Sequence, residues 1–188
     1  MPQPSLTRFY PNASLDRLLC SADVSAVVLC SAPVGTVADQ VRAPHMLVAD
    51  SPDLLRWLNA KLESTIHPAL RAQFNLDDMW LYDSFLLKFD GVPGRDGLAM
   101  HVDDDGRGIS FNLLLSDAGD FEGGGTYFPG ITPPVVRPQR GDLLSHYGGL
   151  KHASVPTTGG QRYILVGFLR SPRLLEQLGD RLPSEEAL

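Results

Sequence analysis

The stretch HVDDDG, residues 101 to 106, places a histidine and three acids in six positions. His101 and Asp103 are one residue apart, so on an extended chain both side chains leave the same face and can grip one cation. An imidazole nitrogen beside a carboxylate oxygen suits a divalent ion of the first transition row. Taken alone, such a stretch is more often an acidic hairpin end whose histidine is satisfied by a neighbour. Asp104 and Asp105 read as loop carboxylates: the shared-face argument selects Asp103, and a calcium loop needs alternating ligands that the following GRGIS does not supply.

A second imidazole decides between the two readings. A non-haem Fe(II) centre of the oxygenase type takes two histidines and one carboxylate on one side of the metal and keeps the opposite positions open. Of the five histidines, only His101 has an acid two residues on. His45 lies in a loop-rich region and His67 precedes a proline at a helix end, so both read as structural. His146 and His152 fall on late strands. Ten residues beyond His152 stands Arg162, whereas ten beyond His146 stands Pro156, which brings no charge; the distal ligand is therefore assigned to His152 and not to His146. In QRYILVGFLR, Arg162 shares a face with Ile164, Val166 and Phe168, while Tyr163, Leu165 and Leu169 face the other way. An arginine on an apolar face needs a buried anion; the competing reading is a strand-edge arginine in water. Ser110 and Asn112 project together from ISFNLLLS and either touch a ligand or satisfy one another. Tyr82 and Lys88 are weaker candidates.

Several elements must hold these groups in place. Ser51 and Pro52 open a helix whose Leu54, Leu55, Leu58, Leu62 and Ile66 draw one apolar stripe; Pro68 is expected to end it, with a shorter helical piece over 69–75. VSAVVLC (24–30) and HMLVA (45–49) read as strands. From residue 80 the period shifts to two, and glycine and proline separate LYDSFLLKF, GLAMHVD, ISFNLLLS, GTYFP, PVVRP, GDLLSHY, LKHASV and RYILVGFL. Such close spacing predicts a mainly β protein with supporting α-helices, best fitted by a jelly roll, the double-stranded β-helix. Ser171–Pro172 starts a short helix to about Leu178, followed by a fraying tail. One domain over 1–188 is expected, with support at about 1–79, the β core at about 80–170 and a C-terminal helix and tail over 171–188.

Composition narrows the partners. The 188 residues carry a net charge of -6 without a basic block, which argues against nucleic acid. No stretch suits a signal peptide or a membrane span, so a cytoplasmic protein without a membrane partner is expected. Cys20 and Cys30 read as buried free thiols rather than a zinc knuckle or a disulfide framework. Nothing in the sequence sets the oligomeric state.

MHVD, FEGGGTYF and LKHASVPTTGGQRYILVGF, in that order, resemble the catalytic domain of the prolyl and lysyl hydroxylases within the Fe(II)/2-oxoglutarate-dependent dioxygenases. The likeness covers roughly residues 80–170. It implies that His101, Asp103 and His152 hold Fe(II), that Arg162 receives the distal carboxylate of 2-oxoglutarate, and that O2 takes the remaining position. A planar guanidinium suits that task, because it meets a carboxylate with two parallel charge-assisted hydrogen bonds. Asn112 matches an asparagine of the lysyl hydroxylases, and ascorbate is a further cofactor the resemblance suggests. Three adjacent glycines in EGGGT make a turn wherever they occur, and count as family evidence only.

The implied reaction is hydroxylation of an unactivated C–H bond with release of succinate and CO2. Its substrate would be a prolyl or lysyl residue of a peptide or protein, or a small molecule such as a free amino acid. Asp103 argues against a halogenating relative, in which that carboxylate is missing. Phe89 departs from relatives that carry a tyrosine on the strand before the His-x-Asp pair, and so removes a hydroxyl that could contact the cosubstrate. DGVPGRDG (90–97) is read either as a lid or as a plain surface connection. Two further readings are a cupin-type metal enzyme without 2-oxoglutarate, for which Arg162 would be dispensable, and a silent ligand-binding jelly roll.

Overall fold

The computed structural model describes residues 5–8, for their backbone, together with 45–103 and 106–178. The strand expected at 24–30, both cysteines, Asp104, Asp105 and the tail beyond residue 178 lie outside the described residues.

Helical support forms where the apolar stripe is expected, except that Leu55 faces outward at 37% exposure. Helix α1 (Pro52–Lys61) starts on Ser51, whose hydroxyl accepts from the Leu54 N–H at 3.4 Å, with proline in the first turn where no amide proton is needed. The chain does not stop at Pro68. It passes through a π-helical turn (Leu62–Ile66) directly into α2 (His67–Phe74), in which Pro68 occupies the first turn. A proline breaks a helix only where it removes an interior hydrogen bond, and here the changed hydrogen-bond pattern of the π turn lies just before it. Asn75, in the left-handed conformation at φ 54°, ends α2. Leu54, Leu58, Leu62, Ile66, Leu70 and Phe74 are all buried along this one continuous support.

The β core is two antiparallel sheets, as a jelly roll requires. The larger sheet runs β1 (Ser5–Arg8), β8 (Asp142–Tyr147), β4 (Ile109–Leu114), β10 (Thr157–Arg170), β3 (Trp80–Asp90), β2 (His45–Leu47). The short β5 (Phe121–Gly123) pairs with the early part of β10. The smaller sheet runs β7 (Val135–Val136), β6 (Thr126–Tyr127), β9 (Ala153–Ser154). A last helix, α3 (Pro172–Leu178), follows β10. No helix among the described residues is long and apolar enough to cross a membrane.

Strand β10 organises both faces of the large sheet. Leu165 and Leu169 join Leu54, Leu58, Leu70, Leu86, Phe111 and Leu113 in the core beneath the helices. Ile164, Val166 and Phe168 turn the other way and pack with Phe85, Leu87 and Phe89 of β3 and Leu114 of β4. This second face looks into the space between the two sheets.

One expected strand is absent. GLAMHVD has no regular ladder, and His101 makes only an isolated bridge, to His152. Alternation along a strand therefore is not what brings His101 and Asp103 together; cross-chain hydrogen bonds from two loops are.

Candidate active site

His101 and His152 face each other, each backbone N–H donating to the other's carbonyl at 2.9 Å. Two residues on, the Asp103 N–H donates to the Gly148 carbonyl at 2.9 Å, and the Asp103 carbonyl accepts from Gly106 N–H at 2.9 Å. Gly106 takes φ 75°, a left-handed conformation that explains glycine at the end of HVDDDG. These few bonds fix three side chains from segments fifty residues apart in sequence. Nitrogen or oxygen atoms of His101, Asp103 and His152 all lie within 4.8 Å of one another. Oδ1 of Asp103 stands 3.5 Å from His101 Nε2 and 3.7 Å from His152 Nε2.

The inner ring nitrogens explain the orientation. His101 Nδ1 meets the Ala99 carbonyl at 2.7 Å and His152 Nδ1 meets the Leu150 carbonyl at 2.9 Å. A carbonyl only accepts, so in the neutral ring Nδ1 holds the proton and the Nε2 lone pair points at the shared carboxylate. Metal-binding histidines are commonly oriented in this way, by a hydrogen bond from the ring nitrogen that does not face the ion. This donor set fits a divalent ion of the Fe(II) kind.

Electrostatics agree. Burial works to raise the Asp103 carboxyl, yet the hydrogen bond it accepts from His101 when that ring is protonated, the neighbouring His152 and His146 and the Ser110 hydroxyl bring it down to about 2. Burial pushes His152 down to about 4, helped by the adjoining His146, so its ring is neutral at physiological pH. Burial also works to lower His101, but the Asp103 hydrogen bond, the Ala99 carbonyl and the Asp103 charge together hold it above the ordinary histidine value.

Arg162 is buried at 3% exposure, with its guanidinium carbon 5.6 Å from the Phe89 ring and 5.9 Å from the Phe121 ring. Nη1 has no hydrogen-bond partner among the described residues. Burial lowers its pKa to about 10, which still leaves a cation at neutral pH. Phe89, the departure noted in sequence, is fully buried and supplies a ring face to the guanidinium where a hydroxyl would have offered a hydrogen bond. Gly124 permits the close packing: a Cβ there would meet Arg162 Cδ at 3.0 Å, and its φ is 69°.

A cavity of about 260 Å³ joins the two centres. His101, Asp103, His152, Asn112 and Arg162 all line it, between apolar walls of Phe85, Leu87, Ile164, Val166 and Phe168. Asn112 pairs with Val166, and Arg162 sits four residues earlier on β10, about 13 Å along the strand at strand rise. Ser110, which shares the Asn112 face, supports Asp103 instead of lining the cavity. None of residues 90–97 lines it either; the adjoining Leu98, Ala99 and Met100 do. His45 is buried edge-on to Phe85, and His67 is lowered by burial and by Arg71. Tyr82 stacks near Phe168 at 6.2 Å, and Lys88 lies over the Tyr163 ring at 6.0 Å.

Thr126 and Ser154, from the smaller sheet, line the cavity and were missed in sequence, because neither neighbours a charged motif. His146 was set aside in sequence on its spacing to an arginine. It nonetheless lies beside Asp103, with Nε2 3.7 Å from Oδ2.

No family model matches the chain. By sequence it is 38% identical over 121 residues to human procollagen-lysine,2-oxoglutarate 5-dioxygenase 1, an alignment that takes in 62% of this chain and 15% of that protein. The chain thus spans a small part of the curated relatives it matches. By fold it is similar to the viral collagen prolyl hydroxylase of Paramecium bursaria Chlorella virus-1 in its 2-oxoglutarate complex, with a TM-score of 0.62, 15% identity and coverage of 89% of this chain and 96% of the other. It is similar also to the Trichoplax adhaerens prolyl hydroxylase bound to a hypoxia inducible factor peptide fragment, with a TM-score of 0.66, 15% identity and coverage of 94% and 87%. At such identities the solved structures establish the jelly-roll fold. The resemblance to the prolyl and lysyl hydroxylases that the motifs implied is present in both comparisons.

Proposed function

We propose that the protein is an Fe(II)- and 2-oxoglutarate-dependent dioxygenase that hydroxylates an unactivated C–H bond of a prolyl or lysyl residue in a peptide or protein, releasing succinate and CO2. One observation carries this reading. One apolar cavity is lined both by a two-histidine, one-carboxylate cluster and by the buried, incompletely paired guanidinium of Arg162 on β10. A buried cation without a partner anion is costly, so Arg162 is where a ligand's carboxylate belongs.

In this reading His101, Asp103 and His152 hold the iron, which when bound supplies the activation of O2 and the oxidative decarboxylation of the cosubstrate. The chain does the positioning. Arg162 takes the distal carboxylate, with the Thr126 hydroxyl and the Asn112 amide as further polar groups in the same cavity. Phe89 and Phe121 hold the guanidinium flat and dry, and Ile164, Val166 and Leu87 exclude water along the cosubstrate. Met100, 47% exposed and at the cavity wall, marks the side from which a substrate side chain enters. The peptide choice is supported by the human relative's name and by the Trichoplax structure's peptide.

The test is succinate formation from 2-oxoglutarate with Fe(II) and O2, with collagen-like prolyl and lysyl peptides and free amino acids as candidate substrates. Wild type should form succinate and hydroxylated peptide, and His152→Ala and Arg162→Ala should not. Ascorbate omission should lower sustained turnover without changing the product. Iron-loaded wild type that makes no succinate with any of these substrates would sink the reading.

A further inference from the structure

Strand β3 changes face near its start. Phe85, Leu87 and Phe89 point to the cavity side of the large sheet, and strict alternation would put Leu81 with them and aim Trp80 and Tyr82 at the helices. The reverse is found. Leu81 packs against the core beneath the helices. Phe168 of β10 lies opposite Asp83 and Leu169 opposite Leu81, so Tyr82 is one residue too many, a β-bulge. The insertion reverses the alternation: Trp80, paired with Arg170, comes to the side on which β10 carries Ile164, Val166 and Phe168.

The result is a row of rings running from the cavity to the surface. Phe85 and Phe168 both line the cavity with ring centroids 5.6 Å apart, and Tyr82 stacks near Phe168 at 6.2 Å and 26°. The Arg170 guanidinium carbon lies 4.9 Å from the centre of the Tyr82 ring. Trp80 is 46% and Tyr82 40% exposed, so the bulge gives up burial that plain alternation would have offered both. The row also starts at the level of the cluster. Phe168 is paired with Ser110, the residue that supports Asp103, and stands six residues from Arg162, about 20 Å at strand rise. The rings thus leave the cavity beside the histidine and carboxylate groups, at the end away from the guanidinium of Arg162.

We infer that Trp80, Tyr82 and Arg170 form a docking ledge for the substrate polypeptide, and that the ledge takes an aromatic side chain flanking the residue to be hydroxylated. Exposed rings continuous with a pocket mark a contact surface. Tyr82 is already held by Phe168 and Arg170, so a guest stacking on it orders little more of the protein. Rings attract rings beyond the area they bury, and the guanidinium offers the same guest a cation. This rests on the proposed function in taking the cavity as the place where a substrate residue is oxidised; the ledge adds which neighbour of that residue is read.

The experiment uses prolyl and lysyl peptides in which phenylalanine or alanine stands at each position flanking the target, with hydroxylated peptide as the readout. For wild type, phenylalanine at one flanking position should lower KM about tenfold relative to alanine, the size of a hot-spot aromatic contact, with kcat within about threefold. Trp80→Ala and Tyr82→Ala should bring that ratio of KM values to about one. Equal KM values at every position, or a preference that survives both substitutions, overturn the assignment. If neither variant folds by circular dichroism, the wild-type series decides alone. In an anaerobic titration that needs no turnover, the preferred peptide should shift the tryptophan emission of wild type and not that of Trp80→Phe; an identical shift in both contradicts the ledge. Wild type that elutes as a dimer beside a monomeric Trp80→Ala would give the ledge to a second copy of the chain and overturn the proposal. Wild type that makes no succinate with any peptide brings down the oxygenase reading instead, while the emission titration still decides the ledge.

Discussion

The two ends of the cavity are built by opposite means. At the end proposed to hold metal, His101, Asp103 and His152 sit on irregular segments pinned by an isolated bridge and by backbone bonds of Asp103 with Gly148 and Gly106. At the other end, Arg162 rides on the fourteen-residue β10, opposite Phe89 of β3, just before the stretch Ile164–Leu169 that is paired on both sides. The difference teaches where precision comes from. Side chains converging on an ion correct one another once it is bound, so loops suffice. A lone guanidinium has no such help, and a rigid strand with Phe89 and Phe121 against it must hold the orientation.

If the ends are separate in construction, substitutions should separate them in function. Asp103→Ala removes the oxygen that His101 and His152 both face and should abolish measurable Fe(II) or Mn(II) binding in an anaerobic titration, with the fold retained by circular dichroism. Next in size, Arg162→Gln should leave metal affinity within about threefold while weakening 2-oxoglutarate by about a hundredfold or more, since two charge-assisted bonds are worth about 1.5–3 kcal/mol each. A fall in metal affinity as large as the fall in cosubstrate affinity would break the distinction.

The ends should also part with pH. His101 is held above the ordinary histidine value, and metal needs its bare Nε2, so a proton competes as pH falls. Metal affinity should therefore be full above that pKa and drop about tenfold per pH unit below it. The Arg162 end behaves inversely: burial lowers it to about 10, so its charge is intact through neutral pH and is lost only as pH rises through that value. The smallest effect is expected of Gly124→Ala, whose new methyl would press on Arg162 Cδ at 3.0 Å and strain a φ of 69°. It should weaken 2-oxoglutarate about tenfold, on the scale of a misplaced contact, and leave metal binding unchanged.

The same contrast explains what could be read without coordinates. Arg162 with Ile164, Val166 and Phe168 is a pattern of period two, and the long strand β10 keeps that period, so the cavity wall was legible. For His101 and Asp103 the alternation argument named a pair that the structure does bring together, but for the wrong reason, because GLAMHVD forms no strand. Pro68 misled in a similar way: a proline in sequence does not say whether it closes one helix or opens the next. His146 was passed over because spacing to Arg162 measures distance along the chain. Its place is set across the sheet, by the register that puts it opposite Ser110. Thr126 and Ser154 come from the small second sheet, whose two-residue strands leave too short a pattern to read.

If one cosubstrate spans both ends, as proposed, it makes them interdependent, and equilibrium linkage measures this directly. Titration of 2-oxoglutarate with and without Mn(II), and of Mn(II) with and without 2-oxoglutarate, should show each ligand tightening the other by the same factor, about tenfold or more. Arg162→Gln should weaken 2-oxoglutarate in both series. Two ligands that bind wild type independently of one another would show that the cluster and the guanidinium do not hold the same molecule.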